Sequence, residues 1–180
     1  MFIYAHRGAS VDYPEMTEAA YRGAISQGAD GFECDLRLSR DEVPVLWHNA
    51  SMLERAGNSG LIAEMKFVDI KRAYPQILTL NDFLDIAVAA KKSVLIETKH
   101  PVISGNRVEE IAISTIRDRK ILDQIHLSLM SFSWSAIEKV HRSAPEIHTT
   151  FLVSYRTLWP QVRFSSANAI GPGINEVRHR

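Results

Sequence analysis

The sequence predicts an α/β domain built on a parallel sheet. Apolar runs of strand length alternate with segments of helical period, which is the pattern of repeated βα units. The runs are nearly continuous in apolar residues, as strands covered on both faces are. Acidic and imidazole side chains stand at their ends: His6 in AHRG, Glu33 and Asp35 in GFECD, His48 in VPVLWHN, and Glu97 in VLIETK. Carboxylates and imidazoles at the ends of successive strands are how a barrel enzyme holds a hard metal ion beside an acid–base pair.

Taken in order, Phe2–Ala5 reads as the first strand. A helix follows from Pro14 to Gln27, with proline in its first turn and an inner stripe of Met16, Ala20, Gly23, Ala24 and Gln27. Gly28-Ala29-Asp30-Gly31 punctuates, and Gly31–Leu36 is the second strand. Val43–His48 is an extended excursion beyond it. Residues 49–65 read as a loop, because Gly57, Asn58, Ser59 and Gly60 cluster there. Thr79 with Asp82 three residues on forms a capping box that opens a helix with apolar face Leu80, Phe83, Leu84, Ile86, Ala87 and Ala90. Ser93–Glu97 is the next strand, followed by a helix bearing Val108, Ile111, Ala112, Thr115 and Ile116. Ile125–Met130 is the fourth strand. Ser133 caps a helix with Ile137 and Val140 that Pro145 stops. His148–Val153 and Ala167–Ile170 complete six strands.

The chain has 180 residues, of which 46% are hydrophobic and 23% charged, and is expected to form one domain over 1–180. Lys+Arg and Asp+Glu both number 21. No bulk charge therefore draws it to nucleic acid or an anionic membrane surface, and attraction for an anionic substrate has to be local. The single cysteine, Cys34, excludes an intramolecular disulfide and fits a reducing compartment. No apolar stretch reaches the roughly 20 residues a membrane-spanning helix needs. MFIYAHRG does not read as a signal peptide, so a cytoplasmic setting is expected.

Strand side chains alternate between faces, so Glu33 and Asp35 point the same way and Cys34 points the other. Two carboxylates this close repel and resist burial unless a cation sits between them. An isolated Glu-x-Asp also suits an exposed strand edge. Here the flanking Phe32, Leu36 and Leu38 read as buried, and Glu97 ends another apolar strand, which favours a metal site. Oxygen donors select Mg²⁺ or Ca²⁺ over zinc. His6 and His48 can take and give a proton near neutral pH. Arg7 and Lys99 suit phosphate oxygens, or pair with the carboxylates, or both. His100, His126, His141, His148 and His179 lack such neighbours in the sequence and receive no role.

These segments resemble the glycerophosphodiester phosphodiesterase family. HRGAS, YPE before a helix, GADGFECDLRLSRDEVPVLWHN, LIETKHP and the later SLMSFSWSAIEKVHR match its signature pieces in order and spacing. The resemblance implies a TIM-barrel-like (βα)8 fold and hydrolysis of glycerophosphodiesters to glycerol 3-phosphate and an alcohol. By position it implies Glu33, Asp35 and Glu97 as ligands of a divalent cation (Mg²⁺ or Ca²⁺). His6 and His48 would be the catalytic acid and base, with Arg7 beside them, and Arg7, Lys99 and Glu15 would contact substrate. Three departures stand out. Met16 stands where the family has Asn, and Asn49 where it has Asp. The family's late strands, including one bearing Trp, have no counterpart, whereas a full barrel takes about 250 residues. An incomplete barrel with about six strands is therefore expected. Its open edges suit a homo-oligomer. Two other readings follow: a catalytically impaired remnant that binds a phosphate ligand or partner, and a phospholipase D-like relative. Secreted members of that second branch carry disulfides and export signals, features not read in this sequence.

Overall fold

The computed structural model describes residues 2–173. Its backbone is a sheet in which β1 (Tyr4–His6), β2 (Gly31–Leu38), β6 (Ser93–Thr98), β7 (Leu127–Ser131), β8 (His148–Val153) and β9 (Ala169–Pro172) lie side by side in that order, every neighbouring pair parallel. The expected six barrel strands are present, with ends shifted by a residue or two. The connections that run outside the sheet carry α1 (Glu18–Ser26), α4 (Leu80–Ala89), α5 (Arg107–Asp118), α6 (Trp134–Ser143) and the short α7 (Trp159–Arg163).

Alternation along the strands sorts side chains to two faces. Phe32, Cys34, Leu36, Val94, Ile96, Leu127 and Leu129 point outward and pack under the helices in one core. Behind β2 that core is aromatic: Tyr21 of α1 lies 5.3 Å from Phe32 and 4.8 Å from Phe83 of α4, ring centre to ring centre. The Tyr21 hydroxyl donates to the Glu33 carbonyl at 3.2 Å, so it is satisfied where it is buried. Of the expected inner stripe, Met16 just before α1 and Ala20, Gly23 and Ala24 within it are buried, but Gln27 at its end is exposed and Tyr21 is buried instead. The helix starts at Glu18, where the Thr17 side chain accepts from the Ala20 amide, and not at Pro14. The Thr79–Asp82 capping box of α4 is formed in both directions, and Ser133 caps α6.

The excursion after β2 is more ordered than a loop. β3 (Pro44–Leu46) runs antiparallel to β2. Residues 49–65 fold into β4 (Ser51–Met52), the single-turn α2 (Leu53–Ala56) and β5 (Asn58–Leu61), with β4 and β5 paired antiparallel. Of the cluster that suggests a loop, Gly57 ends α2 in the left-handed region at φ 63°, and Asn58, Ser59 and Gly60 open β5. The Asn58 side chain accepts from the Gly60 amide at 2.8 Å. α3 (Phe67–Ala73), which no sequence feature marked, closes a second small core of Val45, Trp47, Met52, Ile62, Ile70 and Ile77. This core is separate from the one beneath the main helices.

Candidate active site

The site lies at the carboxyl ends of β1, β3 and β6 and midway along β2, and strand register assembles it. Asp35 on β2 stands opposite Glu97 on β6, and His6 on β1 stands opposite Glu33 on β2. Neighbouring strands lie about 4.8 Å apart. This register therefore brings three carboxylates from two strands to one point, with an oxygen of each of Glu33, Asp35 and Glu97 within 4.8 Å of the other two. All three residues are buried.

Arg7 and Lys99 enter this cluster from either side. Arg7 Nε lies 2.8 Å from Asp35 Oδ2, and Lys99 Nζ lies 3.1 Å from Asp35 Oδ1 and 2.7 Å from Glu97 Oε1. The Arg7 amide donates to Glu33 Oε2 at 3.1 Å. Arg7 has φ +61°, an uncommon conformation for a side-chain-bearing residue that turns the chain just past β1. The next residue, Gly8, has φ +81° and touches α1 so closely that a Cβ would lie 2.7 Å from the Ala20 carbonyl carbon. Only glycine lets the turn carrying Arg7 sit against the helix.

His48 arrives by the antiparallel return of β3. The Trp47 amide continues the pairing by donating to the Asp35 carbonyl at 2.9 Å. The Trp47 ring is held in the small core, 5.2 Å from the Tyr74 ring. The His48 carbonyl accepts two hydrogen bonds from the Arg37 guanidinium at 2.9 and 2.7 Å. Its Nδ1 lies 2.9 Å from Asn49 Oδ1. An amide thus meets the imidazole where the family pattern has a carboxylate. His6 is largely exposed, with Nε2 3.7 Å from Glu33 Oε2.

His6, Arg7, Glu33, His48, Glu97 and Lys99 line one mouth of about 320 Å³, together with Met130, Phe132 and Leu152. Asp35 lies beneath it with no exposure. Glu15 is set behind, its Oε2 3.1 Å from Arg7 Nη1 and 2.7 Å from Arg55 Nη2. Arg55 and Arg37 went unnoticed in the sequence. Arg37 was readable, since it continues the alternation of Glu33 and Asp35 along the same face of β2. Arg55 lies in the segment taken for a loop, where no period marks a residue. Met16 is buried and its sulfur accepts from the Asp35 amide at 3.4 Å, a weak contact in place of an amide side chain. His100, read from the sequence as isolated, has buried Glu109 at 2.8 Å. His179 lies outside the described residues.

Burial, then the charges of Asp35 and Glu97, push the Glu33 carboxyl up to about 8. Burial likewise raises Glu97, against the pull of Lys99. The His6 and His48 imidazoles are both lowered from 6.5, which favours their neutral forms: partial desolvation leads in each, and for His6, whose ring is largely open to solvent, the neighbouring Arg7 charge comes next. Three acids against two bases leave the cluster short of positive charge. Neither oxygen of the fully buried Asp35 accepts a hydrogen bond from the described residues, despite the ion pairs to Arg7 and Lys99. Three buried carboxylates, an all-oxygen donor set and a proton-seeking Glu33 fit a divalent cation.

A model of the glycerophosphoryl diester phosphodiesterase family matches residues 6–180. The chain belongs to that family. It is 32% identical over 206 aligned positions to a probable glycerophosphodiester phosphodiesterase 1 of Mycobacterium tuberculosis, covering 98% of this chain and 74% of that protein. Among solved structures, a glycerophosphoryl diester phosphodiesterase of Agrobacterium tumefaciens superposes with TM-score 0.86 at 17% identity, covering 99% of this chain and 77% of that one. An Oleispira antarctica phosphodiesterase, solved with the product sn-glycerol-3-phosphate, superposes with TM-score 0.80 at 24% identity, covering 96% and 74%. The shared fold is that of a TIM barrel, of which the six parallel strands here form a half-barrel.

Proposed function

We propose that this chain is a metal-dependent glycerophosphodiester phosphodiesterase, releasing glycerol 3-phosphate and an alcohol. The observation that carries this reading is the cluster of Glu33, Asp35 and Glu97 within 4.8 Å, bordered by His6, His48, Arg7 and Lys99. Glu33, Asp35 and Glu97 would hold the cation, for which Mg²⁺ and Ca²⁺ both suit the donors. When bound it would neutralise charge on a phosphodiester oxygen. Arg7 and Lys99 supply further positive charge for the phosphate. Arg7 reaches Glu15 as well, so Glu15 acts on the substrate by aiming that guanidinium.

The reaction needs two proton transfers, and two imidazoles stand at the mouth. One takes the proton of the attacking oxygen as the new P–O bond forms; attack by water gives glycerol 3-phosphate directly, whereas attack by the substrate's glycerol hydroxyl gives a cyclic phosphate that a second attack, by water, opens. The other gives a proton to the departing alkoxide as the old P–O bond breaks. Both rings are biased to the neutral form near pH 7, so each can accept, and the donor must be charged by its surroundings during turnover.

Single-domain organisation over 1–180, a cytoplasmic location consistent with the free buried Cys34, and self-association through the edges of β1 and β9, which are unpaired among the described residues, belong to the same reading. Among the described residues no helix is long and apolar enough to cross a membrane. The test is release of glycerol 3-phosphate from a panel of glycerophosphodiesters with Mg²⁺ or Ca²⁺ and with chelator. Metal-dependent release supports the enzyme. Binding of glycerol 3-phosphate without turnover on any member would favour the impaired remnant.

A further inference from the structure

We propose that Glu54, acting through Asn49, is a positioning residue that sets the tautomer of His48, so that Nε2 is the proton acceptor at the mouth. The inference deepens the hydrolase reading and rests on it for its kinetic arm alone.

Glu54 lies on α2, five residues past Asn49, and its Oε2 accepts a hydrogen bond from Asn49 Nδ2. An ionised carboxylate can only accept, so it orients the Asn49 amide with its NH₂ toward Glu54 and its carbonyl oxygen toward His48. That oxygen, 2.9 Å from His48 Nδ1, can likewise only accept. His48 Nδ1 must then carry the hydrogen, and a neutral imidazole with Nδ1–H keeps its lone pair on Nε2. The ring lines the mouth beside Glu97 and Lys99, so a ring nitrogen ready to take a proton is presented there. Without Glu54 an amide could turn over and offer its NH₂ to Nδ1, which would place the hydrogen on Nε2 and block acceptance.

Two further contacts hold the relay in place. Arg37 grips the His48 carbonyl with two N–H groups. Arg55, next to Glu54 on the same turn of helix, pairs with Glu15, which pairs with Arg7. α2 thus touches both sides of the site: one residue reaches His48 through Asn49, and its neighbour reaches Arg7 through Glu15. The arrangement explains how an amide stands at position 49, since the carboxylate that would orient the imidazole is moved one hydrogen bond away.

The experiment has a spectroscopic arm and a kinetic arm. Ring ¹⁵N spectra of His48, assigned by comparison with His48→Ala, are expected to show Nδ1 protonated and Nε2 bare at neutral pH. Free histidine favours the opposite form. Glu54→Ala removes an exposed side chain and leaves the fold alone, and is expected to shift the His48 signals toward a mixture of the two. In the kinetic arm, Glu54→Ala lowers kcat about 3- to 10-fold with KM unchanged, the worth of one hydrogen bond. Asn49→Asp supplies a carboxylate directly, so adding Glu54→Ala to Asn49→Asp costs nothing. Wild-type His48 protonated at Nε2, or unchanged spectra in Glu54→Ala, would overturn the proposal. If no substrate is turned over, the hydrolase reading fails and the spectra still decide the tautomer.

Discussion

Replacing Glu33 by Gln is expected to strengthen the metal-free protein and weaken its response to metal. Burial and the neighbouring charges of Asp35 and Glu97 raise the Glu33 carboxyl from 4.5 to about 8. In the unfolded chain the same group ionises near 4.5, so as the pH climbs from 4.5 to about 8 the unfolded state sheds its proton first and the folded state loses stability. At about 1.4 kcal/mol per tenfold the full penalty above that range is on the order of 5 kcal/mol. Part of it is the repulsion shared with Asp35 and Glu97, which the neutral amide also relieves. A gain of a few kcal/mol for Glu33→Gln at pH 9 in chelator corresponds to roughly 5–10 °C in Tm for a chain of this size. At pH 4 the two proteins should melt together, because Glu33 is then neutral in both states. Added Mg²⁺ at about 100 times its Kd should stabilise the wild type by roughly 2.7 kcal/mol, and Glu33→Gln by much less at the same concentration. Differential scanning fluorimetry across pH, with and without metal, measures all of this. A variant no more stable than wild type at pH 9 in chelator, or one with an undiminished Mg²⁺ shift, would refute the reasoning.

Other substitutions probe other links. His48→Ala should cost on the order of 10²–10⁴-fold in kcat while leaving the far-UV spectrum intact, because it removes one proton-transfer group and no core contact. Gly8→Ala forces a side chain into a left-handed backbone and against the Ala20 backbone of α1, so it should destabilise by about 3 kcal/mol and lower activity through Arg7, read by denaturant titration and kcat/KM. Phe83→Ala empties the aromatic cluster behind β2 and should cost about 3–5 kcal/mol in urea unfolding without changing which ions support turnover.

The parts of this molecule that were legible in its sequence are those governed by short-range rules. Period-two alternation in GFECDL put Glu33 and Asp35 on one face and Phe32, Cys34 and Leu36 on the other, and the structure agrees. The capping residues of α4 and α6 announced themselves because a cap is a contact between residues three apart. What escaped depends on the partner strand or on a second core. Tyr21 lies off the inner stripe that the period of α1 suggests, and is buried because it faces Phe32 and Phe83. α3 went unmarked because its apolar side answers to Trp47, Met52 and Ile62 from elsewhere in the excursion. Residues 49–65 read as a loop because turn-forming glycines mark hairpins and loops alike. Arg55 went unnoticed with them. The convergence of Glu97 with Glu33 and Asp35, by contrast, is expected from their places at strand ends and from the family resemblance, and the register of β2 against β6 brings it about.

The excursion that delivers His48 is tied to the main core through Leu46 of β3, but beyond that strand it rests on its own small set of apolar side chains. A segment supported by so few contacts opens at lower free energy than the sheet behind it. On gentle warming, amide exchange should quicken first across residues 43–78, and turnover should fade while the bulk secondary structure still holds. The molecule is built to lose its chemistry before it loses its shape.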